Sequence, residues 1–273
     1  MYVVYKGSGG LIHMLSGLVY CMSWCMKNGW TLIIDVQGHK CFQHNISDFF
    51  IIDKKFKRYS ENYDNVNINI KFKRMPLQKV IDAKHIEVDR GLGNFTHFYK
   101  IENFNIRKSL DEYQKGEKLR IYAGPGCFSY YYIVDLLKVK PDITQMIKEL
   151  NLIEGDYCGI HFRNTDRQND INVFINRIKN YPSKKIYLAT DDATAYEKIT
   201  SSLPTHTIIQ YKNPINANGK PIHYMENDKY SLVISLLVDM YYLTKGKDFI
   251  ESPGSLVSGL VSYMRKNNKN IYE

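Results

Sequence analysis

Tyr2-Val3-Val4-Tyr5-Lys6-Gly7-Ser8-Gly9-Gly10-Leu11 opens the chain and sets how the rest is read. Four β-favouring residues run into a glycine-rich turn. From Leu11 to Met26 the apolar residues Leu11, Met14, Leu15, Leu18, Val19, Met22 and Met26 recur at three- and four-residue steps, the period of a helix. Gly29 ends that helix, and Trp30-Thr31-Leu32-Ile33-Ile34-Asp35 reads as a buried strand closing on an acid. Strand, turn, helix, strand is a βαβ opening.

The same alternation returns more clearly in the second half. Strands are expected at 157–162, 185–189, 206–210 and 248–251, and helices at 173–179, 193–200, 230–243 and 255–265. Pro141 opens a further helix to about Leu150, since proline suits a first helical turn, and Asn151–Gly155 reads as a linker. Between Gly38 and Lys118 periods are poor; Val66–Ile70 alternates like a strand, Leu119–Ala123 reads as another, and a helical stretch follows the Gly124-Pro125-Gly126 turn near Tyr130–Leu137. Helices alternating with strands predict an α/β fold with parallel sheets covered on both faces. Two halves joined near residue 150, 1–150 and 151–273, suggest two Rossmann-like domains facing a cleft.

Composition narrows the function classes. The chain has 273 residues, 44% hydrophobic and 24% charged, which excludes disordered and collagen-like classes. No apolar run reaches the roughly 18 residues of a membrane span, and no signal peptide is visible, so a soluble, cytoplasmic protein is expected. Five scattered cysteines (Cys21, Cys25, Cys41, Cys127, Cys158) without a C-x-x-C read as reduced thiols, with Cys21 and Cys25 as core packing. His39–His44 offers three possible metal ligands but no second cluster to supply a fourth at zinc-finger spacing, and reads as a polar loop. A formal charge of 37 − 28 = +9 favours an anionic partner, whether nucleic acid, an acidic membrane face or a phosphate-bearing small molecule. The densest basic run, Lys54–Arg58 with Lys71–Arg74 beyond it, is read as solvated surface.

In parallel sheets ligands sit past the carboxyl ends of the strands. Four segments fall there. Gly7–His13 is either a ligand loop at a helix N-terminus or a tight turn, and lacks the full G-x-G-x-x-G spacing. Gly159–Asp170 places His161, Arg163, Asp166, Arg167 and Asp170 within ten residues of a strand end. Burying so many ionisable groups without a ligand is expensive, and a guanidinium grips a diphosphate with two parallel bonds. Tyr187–Asp192 ends a strand on two acids, of which Asp191 reads as the helix cap. Phe249–Ser255 leads through Pro253-Gly254 to a helix start that is either a phosphate seat or an ordinary cap.

In this order the segments resemble the GDP-fucose-dependent fucosyltransferases of the α-1,6 type, the group of the bacterial nodulation fucosyltransferases and animal core fucosyltransferase. Gly7–His13 resembles that family's Gly-x-Gly opening, His161–Arg167 its His-x-Arg-Arg-Thr-Asp-Lys signature, and Tyr187–Asp192 its Tyr-Leu-Ala-Thr-Asp-Asp strand end. Asp239, Asp248-Phe249-Ile250 and Ser255 follow the same pattern, while residues 38–150 match loosely.

The resemblance implies a GT-B-like fold and an inverting transfer of fucose from GDP-β-L-fucose to a glycan hydroxyl, with no metal or other cofactor. The sequence contains no Asp-x-Asp, the pattern of a divalent clamp on a diphosphate. By the same resemblance Arg163 holds the β-phosphate, and His161 and Asp239 contact the guanine nucleotide. Asp192 flanks the donor, Gly254 and Ser255 bind phosphate, and Gly9, Gly10 and His13 line the site from the N-terminal half. Two positions depart from the pattern. Asn164 replaces the signature's second Arg, and the expected catalytic Glu aligns with Ile171, leaving Asp170, and after it Asp166, as candidate bases. The expected partners are a nucleotide sugar and a glycan, with no nucleic acid and no membrane span; peripheral membrane contact and oligomeric state stay open. The rival readings are another sugar donor on the same fold, a GDP-sugar module without turnover, and a nucleic-acid-binding protein.

Overall fold

The computed structural model describes residues 2–5, 7, 9–29, 31–34, 36, 39, 41–54, 56, 59–60, 70–72, 77–80, 86–89, 119–122, 130–164, 169–214 and 228–273. The chain divides into two compact units, Met1–Lys140 with Glu273, and Pro141–Tyr272.

In the first unit β1 (Tyr2–Tyr5) is joined by α1 (Leu11–Asn28) to β2 (Thr31–Ile34). β1 and β2 pair in parallel, Tyr2 opposite Thr31 and Tyr5 opposite Ile34. Met14, Leu15, Leu18, Val19 and Met22 of the α1 stripe are buried, while Leu11 at its start is half-buried and Met26 near its end is exposed; Cys21 and Cys25 are buried free thiols. Tyr5 Oη donates to Met14 O at 2.5 Å, tying strand to helix. Gly29 ends α1 at φ 66°, the left-handed conformation that glycine adopts without strain.

Further along run β3 (Phe50–Ile52), β4 (Tyr59–Ser60), β5 (Ile70–Phe72), β6 (Leu77–Val80), β7 (Ile86–Asp89), β8 (Leu119–Tyr122), α2 (Tyr130–Leu136) and β9 (Leu137–Val139). The main sheet has the order β4-β2-β1-β8-β7. Its ladders are all parallel. Two small antiparallel pairs, β3 with β9 and β5 with β6, stand apart from it. The expected strand at Val66–Ile70 lies outside the described residues except for Ile70, as do Trp30, Asp35, the Gly124–Gly126 turn and Cys127. His39–His44 is not the polar loop its composition suggests. Cys41 and Phe42 are buried, and the Phe42, His44 and Phe49 rings pack together.

The second unit begins with α3 (Pro141–Glu149), so the division falls ahead of this helix rather than after it. Tyr242 explains the attachment: its hydroxyl donates to Ile147 O at 3.3 Å and accepts from Leu152 N at 3.1 Å. There follow β10 (Cys158–Phe162), α4 (Ile171–Lys179), β11 (Lys185–Thr190), α5 (Ala193–Ser202), β12 (Thr207–Ile209), α6 (Lys229–Lys245), β13 (Asp248–Ile250) and α7 (Leu256–Asn267). The sheet order is β12-β11-β10-β13. Every pairing in it is parallel.

All five residues of β10 are buried, the continuous run expected of a central parallel strand. On one face Ile160 and Phe162 pack with Phe174 and Ile178 of α4 and Ile199 of α5. On the other, α6 lies so close that a Cβ on Gly159 would stand 3.1 Å from Leu243 Cα. Tyr187 stacks on Tyr242 at 5.0 Å on this second face, while the Tyr157 and Tyr272 hydroxyls donate to the α6 carbonyls of Tyr242 and Leu237. The Tyr157 and Tyr272 rings bury apolar area and give their polar tips to backbone.

Arg265 of α7 closes the C-terminal end of α6. Its guanidinium donates to the carbonyls of Leu243 (3.2 Å), Thr244 (3.0 Å), Gly246 and Lys247 (2.8 Å). The Leu243 and Thr244 carbonyls are among those a helix end leaves unpaired, and those of Gly246 and Lys247 follow directly after it. Arg265→Met, which keeps the stem and removes the donors, should lower the unfolding free energy in urea by about 2–3 kcal/mol. A change below about 0.5 kcal/mol, the level of an ordinary surface substitution, would refute the clamp.

Candidate functional site

Three parallel strands of the second unit end side by side, and there the ladders run out. β10 pairs with β13 up to Ile160 and Ile250, and with β11 up to Phe162 and Thr190. Beyond those points backbone groups need other partners, because an unpaired buried N–H or C=O is costly. Side chains supply them. Ser252, 1% exposed, accepts from Arg163 N at 3.1 Å through its hydroxyl and donates its own N–H to Ser258 Oγ at 3.0 Å. Asn169 Nδ2 donates to Arg163 O at 2.5 Å and to the same Ser252 Oγ at 3.0 Å. Asn164 gives its N–H to Asp191 Oδ1 (2.9 Å) and its amide to Asp192 Oδ2 (2.7 Å). Asn169 N donates to Asn164 Oδ1 at 3.3 Å.

Two ionisable groups occupy the α6/α7 face of the sheet. His161, 9% exposed, meets Ser258 Oγ through Nδ1 at 2.7 Å. Burial first, and the charge of Arg163 second, push its pKa down to about 3, so the ring is neutral. Asp239 of α6 accepts from Tyr187 Oη at 2.7 Å. Burial raises its carboxyl to about 7, against the pull of that hydrogen bond, which favours the charged form.

The helix starts differ among themselves. Asp170 caps α4, its side chain accepting from Asn172 N (2.8 Å) and Val173 N (3.3 Å). Asp192, not Asp191, caps α5, accepting from Thr194 N (2.9 Å) and Ala195 N (3.3 Å). The reason is register: Asp192 directly precedes the first helical residue, while Asp191 is turned to Asn164. α7 starts through the turn Ser252-Pro253-Gly254-Ser255, closed by Ser255 N to Ser252 O at 3.2 Å, with Gly254 at φ 68°. Proline then glycine at its two centres is the pattern of a type II turn. Ser255 holds the N-cap position but makes no cap hydrogen bond, and its Oγ is buried without a partner.

Gly9, Gly10 and His13 belong to the first unit. Gly9 is left-handed at φ 69°, and a Cβ there would stand 3.0 Å from His13 Cβ; Gly10 is the N-cap of α1. Asp166 lies outside the described residues. The structure thus brings together His161, Arg163, Asp192, Gly254 and Ser255 around the strand ends. Asp170 sits at the start of α4, and Asp239 lies on the α6/α7 face. Asn169, Ser252 and Ser258 were missed by sequence reading. Their one signal was that Ser252 and Ser258 flank the Pro-Gly turn. No described cluster of His, Cys, Asp and Glu could hold a metal ion, and no described helix is long and apolar enough to cross a membrane.

No family model matches the chain, and no curated protein matches it in sequence. Its structure is similar to that of the fucosyltransferase NodZ from Bradyrhizobium, with TM-score 0.56 and 16% identity over 95% of this chain and 91% of that one. The NodZ alpha-1,6-fucosyltransferase soaked with GDP-fucose aligns at TM-score 0.57 and 18% identity, with the same shares covered. POFUT1 in complex with GDP-fucose aligns at TM-score 0.53 and 11% identity over 95% of this chain and 93% of that one. The chain shares the fold of these fucosyltransferases. At such identities the likeness speaks for the fold, and the residues must argue the chemistry.

The electrostatics and the caps are open to direct test. Asp239 titrates near 7 when folded, above the 3.8 of an unperturbed carboxyl, so its contribution to stability is full below about pH 4 and lost as pH rises through about 7. His161 acts in the opposite sense: a pKa of about 3 against 6.5 gives stability present above 6.5 and lost on acidification. Asp239→Asn should therefore gain on the wild type as pH rises from about 5 to 8, and fall off more steeply in acid because His161 is no longer opposed. Parallel urea-midpoint profiles would refute the assignment. Asp192→Ala should cost about 1 kcal/mol or more as a working cap, whereas Ser255→Ala should stay within about 0.5 kcal/mol. Equal losses in thermal unfolding would contradict the contrast.

Proposed function

We propose that the protein is a glycosyltransferase of GT-B type that moves fucose from GDP-β-L-fucose to a hydroxyl of a glycan, inverting the anomeric carbon without a metal ion. The observation that carries the reading is the setting of Arg163. It stands at the end of β10, beside the turn into α7, where the Ser255 hydroxyl is buried without a partner. A guanidinium, a helix N-terminus and a free hydroxyl together suit a diphosphate. The fold shared with fucosyltransferases, one of them soaked with GDP-fucose, supports fucose as the sugar.

In this reading the acceptor oxygen attacks C1 of fucose as the bond to GDP breaks. Arg163 and the α7 N-terminus stabilise the charge that gathers on the β-phosphate, as a metal would in a metal-dependent transfer. Gly254 and Ser255 hold the phosphate, while His161, Asp192 and Asp239 line the nucleotide side. The first unit, which carries Gly9, Gly10 and His13, takes the acceptor. An inverting transfer needs a carboxylate to take the acceptor's proton. Asp170 caps α4. Asp166, four positions earlier in the sequence, is the candidate base that leaves this cap intact. That same cap favours a second reading, a module that binds GDP-fucose without turnover.

Calorimetry should show GDP bound in preference to UDP and ADP, and a donor screen should favour GDP-fucose over GDP-mannose and UDP-sugars. Arg163→Ala should lower transfer by roughly 10²–10³-fold, with Arg163→Lys between it and the wild type. Chelator should leave the rate unchanged. Asp166→Asn should abolish transfer while GDP still binds. Tight GDP binding with neither transfer nor hydrolysis would favour the second reading, and indifference among nucleotides would overturn both.

A further inference from the structure

Arg163 lies one residue past β10, where neither neighbouring strand continues to pair with it. Both of its backbone groups are nevertheless held, and by side chains: the N–H by Ser252 Oγ at 3.1 Å and the carbonyl by Asn169 Nδ2 at 2.5 Å. Those two side chains are themselves joined at 3.0 Å. The Ser252 end is fixed by the Ser258 hydroxyl of α7, and the Asn169 end returns to Asn164, which is anchored on Asp192. Asn164 and Asn169 are thus joined to each other just past β10, and the pair is bolted to the residue that starts the α7 turn.

We propose that Asn169 and Ser252 are positioning residues that fix Arg163 for a diphosphate, a role resting on the reading of Arg163 given above. A long side chain reaches a phosphate reproducibly only when the backbone beneath it is fixed, because small misplacements at a reacting centre cost rate and affinity steeply. Asn164, where the resembling signature carries a second Arg, works in this chain as the link between Asn169 and the Asp191–Asp192 pair. The side chain of Asn169 is suited to this role because its amide donates to a carbonyl and to a hydroxyl oxygen at once, which a carboxylate of the same shape cannot do.

GDP and GMP distinguish positioning from mere folding, since GMP lacks the β-phosphate that Arg163 is proposed to hold. Calorimetry on the full chain should show Asn169→Ala binding GDP about tenfold more weakly, with GMP within about twofold of the wild type. Asn169→Asp, equal in shape, should reproduce the loss, as should Ser252→Ala, while Ser252→Thr keeps the hydroxyl and retains affinity. In an Arg163→Ala background the Asn169→Ala change should alter GDP affinity by less than about twofold, because its effect passes through the missing guanidinium. Equal losses for GDP and GMP, or additive losses in the double variant, overturn the positioning role and leave the functional reading standing. Failure of the unsubstituted protein to bind GDP overturns both.

Discussion

The hydroxyl of Ser252 stands where the hydrogen bonding of a parallel sheet gives out. It takes the N–H of Arg163 and the amide of Asn169, while the Ser252 N–H is passed to Ser258 of α7. Parallel strands of unequal length cannot all finish in register, and the unpaired backbone at their carboxyl ends must find partners or incur a desolvation penalty. Polar side chains therefore gather at that edge for reasons of stability alone. The same edge is where helix N-termini and strand-end loops converge, so fold and site draw on one set of residues. Ser252, Asn164, Asn169, Asp191 and Asp192 complete the sheet, and in doing so they hold Arg163.

Much of the framework was legible because it follows from period and punctuation. The three- and four-residue steps of α1 and the glycine that ends it sit in the chain as read, and so do the strand–helix alternation of the second unit and the Pro253-Gly254 turn. What could not be read depends on partners distant in sequence. α3 belongs with the second unit because Tyr242, some ninety residues on, bonds to Ile147 and Leu152. β3 and β9 are three residues each and far apart, too short for a period of their own. Asp191 and Asp192 look equivalent in a strand-end pair; the position of the first helical residue decides which one caps. At the site, the ionisable residues drew attention by their charge. The neutral Asn169, Ser252 and Ser258, whose value lies wholly in where they donate and accept, did not.

Charge on the α6/α7 face of the sheet is kept sparse. Burial holds His161 neutral and leaves Asp239, bonded to Tyr187, poised near neutrality. A second cation beside Arg163 would meet its repulsion, which already contributes to the low pKa of His161. Among the described residues, Arg163 thus carries its charge beside a neutral imidazole.

The helix starts that follow β10 divide along the same line. α4, α5 and α6 each begin on an aspartate whose carboxylate accepts from the first helical N–H groups: Asp170, Asp192 and Asp228. A built-in carboxylate satisfies those donors and offsets the positive end of the helix dipole, leaving little for an external anion. α7 begins on Ser255, an uncharged side chain that makes no cap hydrogen bond. It is also the helix reached directly from Ser252, the residue that holds Arg163. Ser255→Asp would supply the missing carboxylate, and it should stabilise the fold by about 0.5–1 kcal/mol while displacing a bound diphosphate, a trade that a purely structural helix start would not show.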